Sequence, residues 1–147
     1  MNPTESGDAR HRANLGEIMQ FEITSRELFF EGRAWGVIDA ARFEPFFEAM
    51  FSHEKWETDR PILYDYTKLS IDHLFSPTEM VEVIHQCEVF RAQVGRGKCA
   101  MVVPQKEQYM FARMFMRRAM FMWDVEMEAF DTREAALNWL LGDPNID

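Results

Sequence analysis

Cysteine is scarce in this chain of 147 residues: Cys87 and Cys99 are its two copies, and no CxxC pair is present. A disulfide framework or zinc ribbon is thereby excluded, and both residues, set inside apolar runs, are expected to be reduced, buried thiols. Long apolar runs are missing as well. No stretch nears the roughly 20 apolar residues of a membrane span. The opening MNPTESGDARHRANLGE lacks the apolar segment of a secretory signal, so a cytoplasmic location is the expectation. Positive charge is in deficit, with 16 Lys and Arg against 25 Asp and Glu for a net charge of −9. Nucleic acid is a poor general partner for such a surface, because neutralising phosphates takes basic side chains.

The usual constellations of catalysis are missing too. His11, His53, His73 and His85 are scattered with no i,i+4 pair, and His85 and Cys87, two apart on one helix, face different ways. The three or four converging ligands of zinc are not assembled by this pattern, so no metal or cofactor is expected. No GxSxG elbow occurs. Gly95-Arg96-Gly97-Lys98 precedes a strand instead of opening a helix, and reads as a helix-to-strand turn, not a phosphate loop. Asp72 with His73 is half of an acid–base pair without a nucleophile. The carboxylates of EMVEVIHQCEVF and DVEMEAF recur at spacings that suit solvated faces. No enzyme activity is expected.

What the chain does have is 47% hydrophobic residues in one domain-sized length, enough to bury a core. Residues 1–16 are polar and expected to form a flexible leader, 17–142 the folded domain, and 143–147 a short tail. EIMQFEI alternates as a strand does. Ser25-Arg26 makes a turn, and Leu28-Phe29-Phe30 begins a second, antiparallel strand. FEPFFEAMF is a helix with Pro45 in its first turn, its start left open between Asp39 and Pro45. ILYDY, after Pro61, is a short buried strand. Ser76-Pro77-Thr78-Glu79 is a helix start with a capping residue, proline at the first position and glutamate three on. That helix carries Met80, Val81, Ile84, Cys87, Val89 and Phe90, and Gly95 and Gly97 end it. KCAMVVP is a buried strand closed by Pro104. The helix YMFARMFMRRAMFMW follows, then the strand DVEMEAF. Asp131 with Glu134 reads as a capping box opening the helix TREAALNWLL, which Gly142 and Pro144 close.

The order β-β-α-β-α-β-α-β-α predicts an α/β single domain. Its five-stranded sheet is mixed but mostly parallel, with helical cover. At this point the chain resembles the SpoIIAA-like group of bacterial proteins, related in fold to STAS domains and to CRAL-TRIO lipid-binding domains. The resemblance rests on the hydrophobic-Asp strand PILYDY, the capped helix after a linker, KCAMVVP followed by a helix containing FARMF, and the closing EAFDTREAALNWL. It covers about residues 17 to 142. It implies a STAS-like fold and a regulatory, protein-binding role. In the anti-sigma-factor antagonists of this group, a serine in an Asp-Ser-Ser-Gly-Leu segment at a helix start is phosphorylated. This chain has IDHLFSPTEM there, so Ser76 is the corresponding candidate, in a segment whose neighbours do not match.

Two regions are candidate contact sites. Asp65, expected at the carboxyl end of a parallel strand where α/β sheets place ligands, is followed by Tyr66, Thr67 and Lys68. It either edges a polar contact site with Thr67 or accepts backbone hydrogen bonds of the next loop. Ser76 is either a phosphate site at a helix N-terminus or a plain cap. The second region is the Met-rich helix, which holds five of the 11 methionines and three of the 13 phenylalanines. At about 100° per residue, Phe111, Ala112, Phe115, Ala119, Met122 and Trp123 share one face, assigned to the core. Met110, Met114 and Phe121 fall opposite, bordered by Arg113, Arg117 and Arg118. This second stripe either packs under a neighbouring element or is an adaptable contact surface. The arginines pair with internal carboxylates or hold an anionic head group. The expected function is a non-catalytic module that binds a protein partner, including a second copy of itself. The alternative is a carrier or sensor of a small apolar anion such as a fatty acid or lipid, in a pocket opening near Arg113 or Arg117.

Overall fold

The computed structural model describes residues 17–70, 76–103, 106–122 and 125–142; of 106–109, 111, 119, 121 and 122 it describes the backbone alone. The expected leader and tail, Asp72, His73, Pro104 and Trp123 lie outside the described residues. Five strands form one sheet in the order β1-β2-β3-β4-β5: β1 Gln20–Ser25, β2 Phe30–Val37, β3 Ile62–Ser70, β4 Cys99–Val102 and β5 Met127–Phe130. The helices are α1 Phe43–Phe51, preceded by a 3₁₀ turn at Ala40–Arg42, α2 Pro77–Val89, the short α3 Arg91–Val94, α4 Lys106–Met122 and α5 Arg133–Leu141. β1 and β2 form an antiparallel hairpin, and every later pair is parallel.

This order dictates the layers. From β2 to β5 the chain steps across the sheet in one direction through parallel crossovers, and right-handed crossovers made in one direction place their helices on the same face. Accordingly α1, α2 and α4 share one core with Phe30, Ile62, Tyr64, Cys99, Met101 and Met127. The other face receives α5, whose Ala136 and Leu140 pack on Phe29, Leu63, Ala100 and Val102. The alternation along β3 and β4 sends successive side chains to the two cores, so Ile62–Asp65 and Cys99–Val102 are buried throughout.

The phenylalanines fill the first core. Phe43, Phe46 and Phe47 of α1 meet Tyr64 and Tyr66 at ring-centroid distances of 6.1 to 6.5 Å. Gly32 of β2 lets α1 approach: a Cβ there would stand 2.9 Å from Phe46 Cζ. Arg60 joins the β1–β2 turn to the segment before β3, donating to Ser25 Oγ at 2.9 Å and to the carbonyls of Lys55, Arg26 and Phe29, with its guanidinium over the Phe30 ring.

Three sequence readings need correction. The strand ILYDY does not stop at Tyr66 but runs to Ser70. The register passes from Arg33 opposite Asp65 to Trp35 opposite Lys68, so β3 carries one extra residue. That bulge turns Leu69 to the same side as Tyr66, and pairing continues through Val37 opposite Ser70. The α5 cap is Thr132, not Asp131: its side chain accepts from Ala135 N at 3.1 Å. Of the residues expected along α2, Val81 and Val89 are exposed, while Val83, not among them, is buried, and the helix breaks at Phe90 before Gly95, at φ 72°, ends the following turn.

Candidate functional site: a methionine–arginine helix face beside an apolar cavity

α4 is two-sided. Ala112, Phe115 and Met116 are buried against the sheet, while Met110 is 62% and Met114 59% exposed, with Met120 beside them. Ala112 and Phe115 thus lie where the helical wheel put them, and Met116 and Met120 complete the two faces. The side chain of Phe121 lies outside the described residues. Arg113, Arg117 and Arg118 are exposed along the same helix. Arg113 Nη1 reaches Glu128 Oε2 of β5 at 3.3 Å, so one member of the arginine border has the internal acidic partner expected of it.

Asp65 and Thr67 are within β3, on the face that α5 covers, and not in a loop edge beyond residue 66. Asp65 is buried and bonded in two directions. Its Oδ1 accepts from Thr67 N at 3.0 Å, across the bulge, and its Oδ2 from Arg133 Nη1 at 3.2 Å. Arg133 also forks onto Glu31 at 2.6 and 3.0 Å, and Glu31 accepts from Arg26 Nε at 2.8 Å. Burial raises the Glu31 pKa, but the hydrogen bonds and charges of Arg133 and Arg26 outweigh it and hold the carboxyl below its ordinary value. Two buried carboxylates and two arginines therefore satisfy one another, tying β2, β3 and α5 together. Sequence reasoning missed Arg133 and Glu31. One signal was available: an arginine in the first turn of a helix opposes the macrodipole and so advertises another task.

Ser76 caps α2 in a full capping box: its Oγ accepts from Glu79 N at 3.2 Å, and Glu79 Oε1 accepts from Ser76 N at 3.0 Å. The hydroxyl a phosphate would replace is already in use. Ser76 lies far along the chain from the Met-rich helix. The structure joins neither Ser76 nor Asp65 to the Met110 and Met114 face by any hydrogen bond or ion pair among the described residues.

Under the inner face of α4 lies a cavity of about 70 Å³ between the sheet and α1, α2 and α4, bounded by Phe47, Tyr64, Tyr66, Val83, Cys87 and Phe115 among others. No charged side chain lines it among the described residues. Burial pushes Tyr64 and Tyr66 well above the ordinary tyrosine pKa, and pushes the Cys99 thiol up to about 12. Both cysteines are free thiols, Cys99 buried and Cys87 half-buried. Among the described residues no cluster of His, Cys, Asp and Glu is arranged to hold a metal ion, and no helix is long and apolar enough to cross a membrane.

No family model matches the chain, and no curated protein matches it. Solved structures do. An uncharacterised protein of the DUF3478 family with a SpoIIAA-like fold, from Shewanella loihica PV-4, is similar with a TM-score of 0.54 at 17% identity, over 83% of this chain and 93% of that one. An anti-sigma factor antagonist from Mycobacterium paratuberculosis is similar with a TM-score of 0.52 at 10% identity, over 84% of this chain and 94% of that one. Its strand order, single helix-rich face and closing α5 give this chain the SpoIIAA-like fold.

Proposed function

We propose that this chain is a non-catalytic regulatory module that acts by binding a protein partner through the outer face of α4. The observation that carries the reading is the exposure of Met110 and Met114 on a helix whose opposite face is already buried. Thioethers at 62% and 59% exposure serve no packing role in the monomer, and flexible apolar side chains suit adaptable contacts. Arg113 and Arg117 give this surface a positive border in a chain of net charge −9, which favours a partner with an acidic rim. Similarity to an anti-sigma factor antagonist supports a regulatory role. The strong net charge speaks against self-association as the main mode, since two copies repel.

The test is affinity capture on the full chain with quantitative mass spectrometry, comparing wild type with a Met110→Glu/Met114→Glu variant. Val89→Glu, which changes a still more exposed apolar residue on α2, serves as control. At least one protein retained by wild type and by the Val89 variant should be lost from the α4 variant. Identical captures by all three would remove this reading.

The alternative, a carrier of a fatty acid or lipid anion, draws on the cavity. A volume of about 70 Å³ is well below the roughly 300 Å³ at which pockets for drug-sized ligands begin. The described lining also offers no cation to an anionic head. These features favour a smaller and uncharged occupant.

A further inference from the structure

The cavity under α4 contains a pair of polar groups that the fold does not use. Tyr64 and Tyr66 sit two residues apart on β3, their rings stacked at 25° with centroids 5.9 Å apart, and both line the cavity. Tyr64 is 5% exposed, yet neither phenol hydroxyl makes a hydrogen bond with any other group among the described residues. Neither hydroxyl is sealed from solvent, since the buried side-chain polar atom without a partner among the described residues is Gln86 Oε1, and each phenol is open to bond water or a ligand. The remaining wall is apolar, formed by side chains such as Phe47, Met80, Val83 and Phe115. Both tyrosines stay protonated at neutral pH, because burial disfavours the phenolate. They therefore offer two O–H donors from one strand, in a space that no charged side chain lines among the described residues.

We propose that this cavity binds a small neutral carbonyl compound, a ketone or ester of about four non-hydrogen atoms, whose oxygen accepts from the Tyr64 and Tyr66 hydroxyls. The size follows from the volume of about 70 Å³, that of about two water molecules in the liquid. The chemistry follows from the pair of donors, since a carbonyl oxygen has two lone pairs to receive them. The apolar wall holds the hydrocarbon part, and among the described residues the lining offers no cation to a carboxylate.

Acetone and 2-methylpropene test this directly, being nearly equal in shape and differing in the acceptor. Each is titrated into the full chain and followed by ¹⁵N-resolved NMR and thermal unfolding. Acetone should bind saturably, shift the amides of Tyr64, Tyr66, Val83 and Ala112, and bind about tenfold more tightly than the alkene. Tyr64→Phe/Tyr66→Phe keeps the rings and should abolish that preference while leaving alkene binding within about twofold. Val83→Phe, which fills the space, should abolish binding of both. The proposal is overturned if wild type binds neither probe saturably, or if the ketone preference survives in the double Phe variant. The α4 outer-face reading is untouched by either outcome, because its residues do not line the cavity.

Discussion

Arg133 donates to Glu31 and Asp65 across 102 and 68 residues of sequence, and removing it would leave two buried carboxylates short of a partner. Losing one member of a buried ion pair costs several kcal/mol. Here Arg26 still holds Glu31 and Arg133 is partly exposed, so Arg133→Met should cost about 2 kcal/mol. Chemical denaturation should also show the double variant Arg133→Met/Glu31→Gln to be more stable than Arg133→Met alone. If it is less stable, the carboxylate is not the origin of the cost. The sign of the pH effect follows from the lowered Glu31 pKa. Its stabilisation is present above the unfolded carboxyl's value and is lost as pH falls through the folded one, so Glu31→Gln should flatten the acid limb of the stability profile.

At the scale of the element, local sequence chemistry was most readable where a single turn carries the signal. The capping box at Ser76 and Glu79 forms as its spacing requires, and Ser76→Ala should lower stability by about 1 kcal/mol in equilibrium denaturation. A loss near zero would mean that Pro77 and tertiary packing set this helix start. The α5 cap was misplaced by one residue, because Asp131 and Thr132 are both good caps and the choice depends on how the chain leaves β5. The end of β3 was illegible for a different reason. Residues Thr67 to Ser70 have no alternating pattern, and the strand persists because β2 runs alongside and a bulge restores the facing of Leu69.

For the whole molecule, one face of the sheet gathers three long helices and a core that encloses Tyr64, Tyr66 and Cys99. All three hold their protons more tightly than in the unfolded chain. A group whose folded pKa is raised stabilises fully below its unfolded value and loses that contribution as pH rises towards the folded one. For Cys99 this window runs from about 9 to about 12. Stability should therefore fall with alkaline pH, by up to about 1.4 kcal/mol per unit for each such group. Cys99→Ala should reduce the slope above pH 9. An unchanged slope would show that Cys99 takes no part in the alkaline limb.

Periodicity, caps and turn residues, all features of neighbouring residues, were enough to specify the order of strands and helices, the parallel sheet and the amphipathic division of α4. Those features operate over one or two turns of chain, and the residues that create them are adjacent. The Glu31–Asp65–Arg133 network, the burial of Met116 with the exposure of Met110 and Met114, and the cavity between Tyr64, Val83 and Phe115 came from packing alone. Each depends on segments far apart in sequence meeting at a distance of a few ångströms, and no local pattern records which segments will meet.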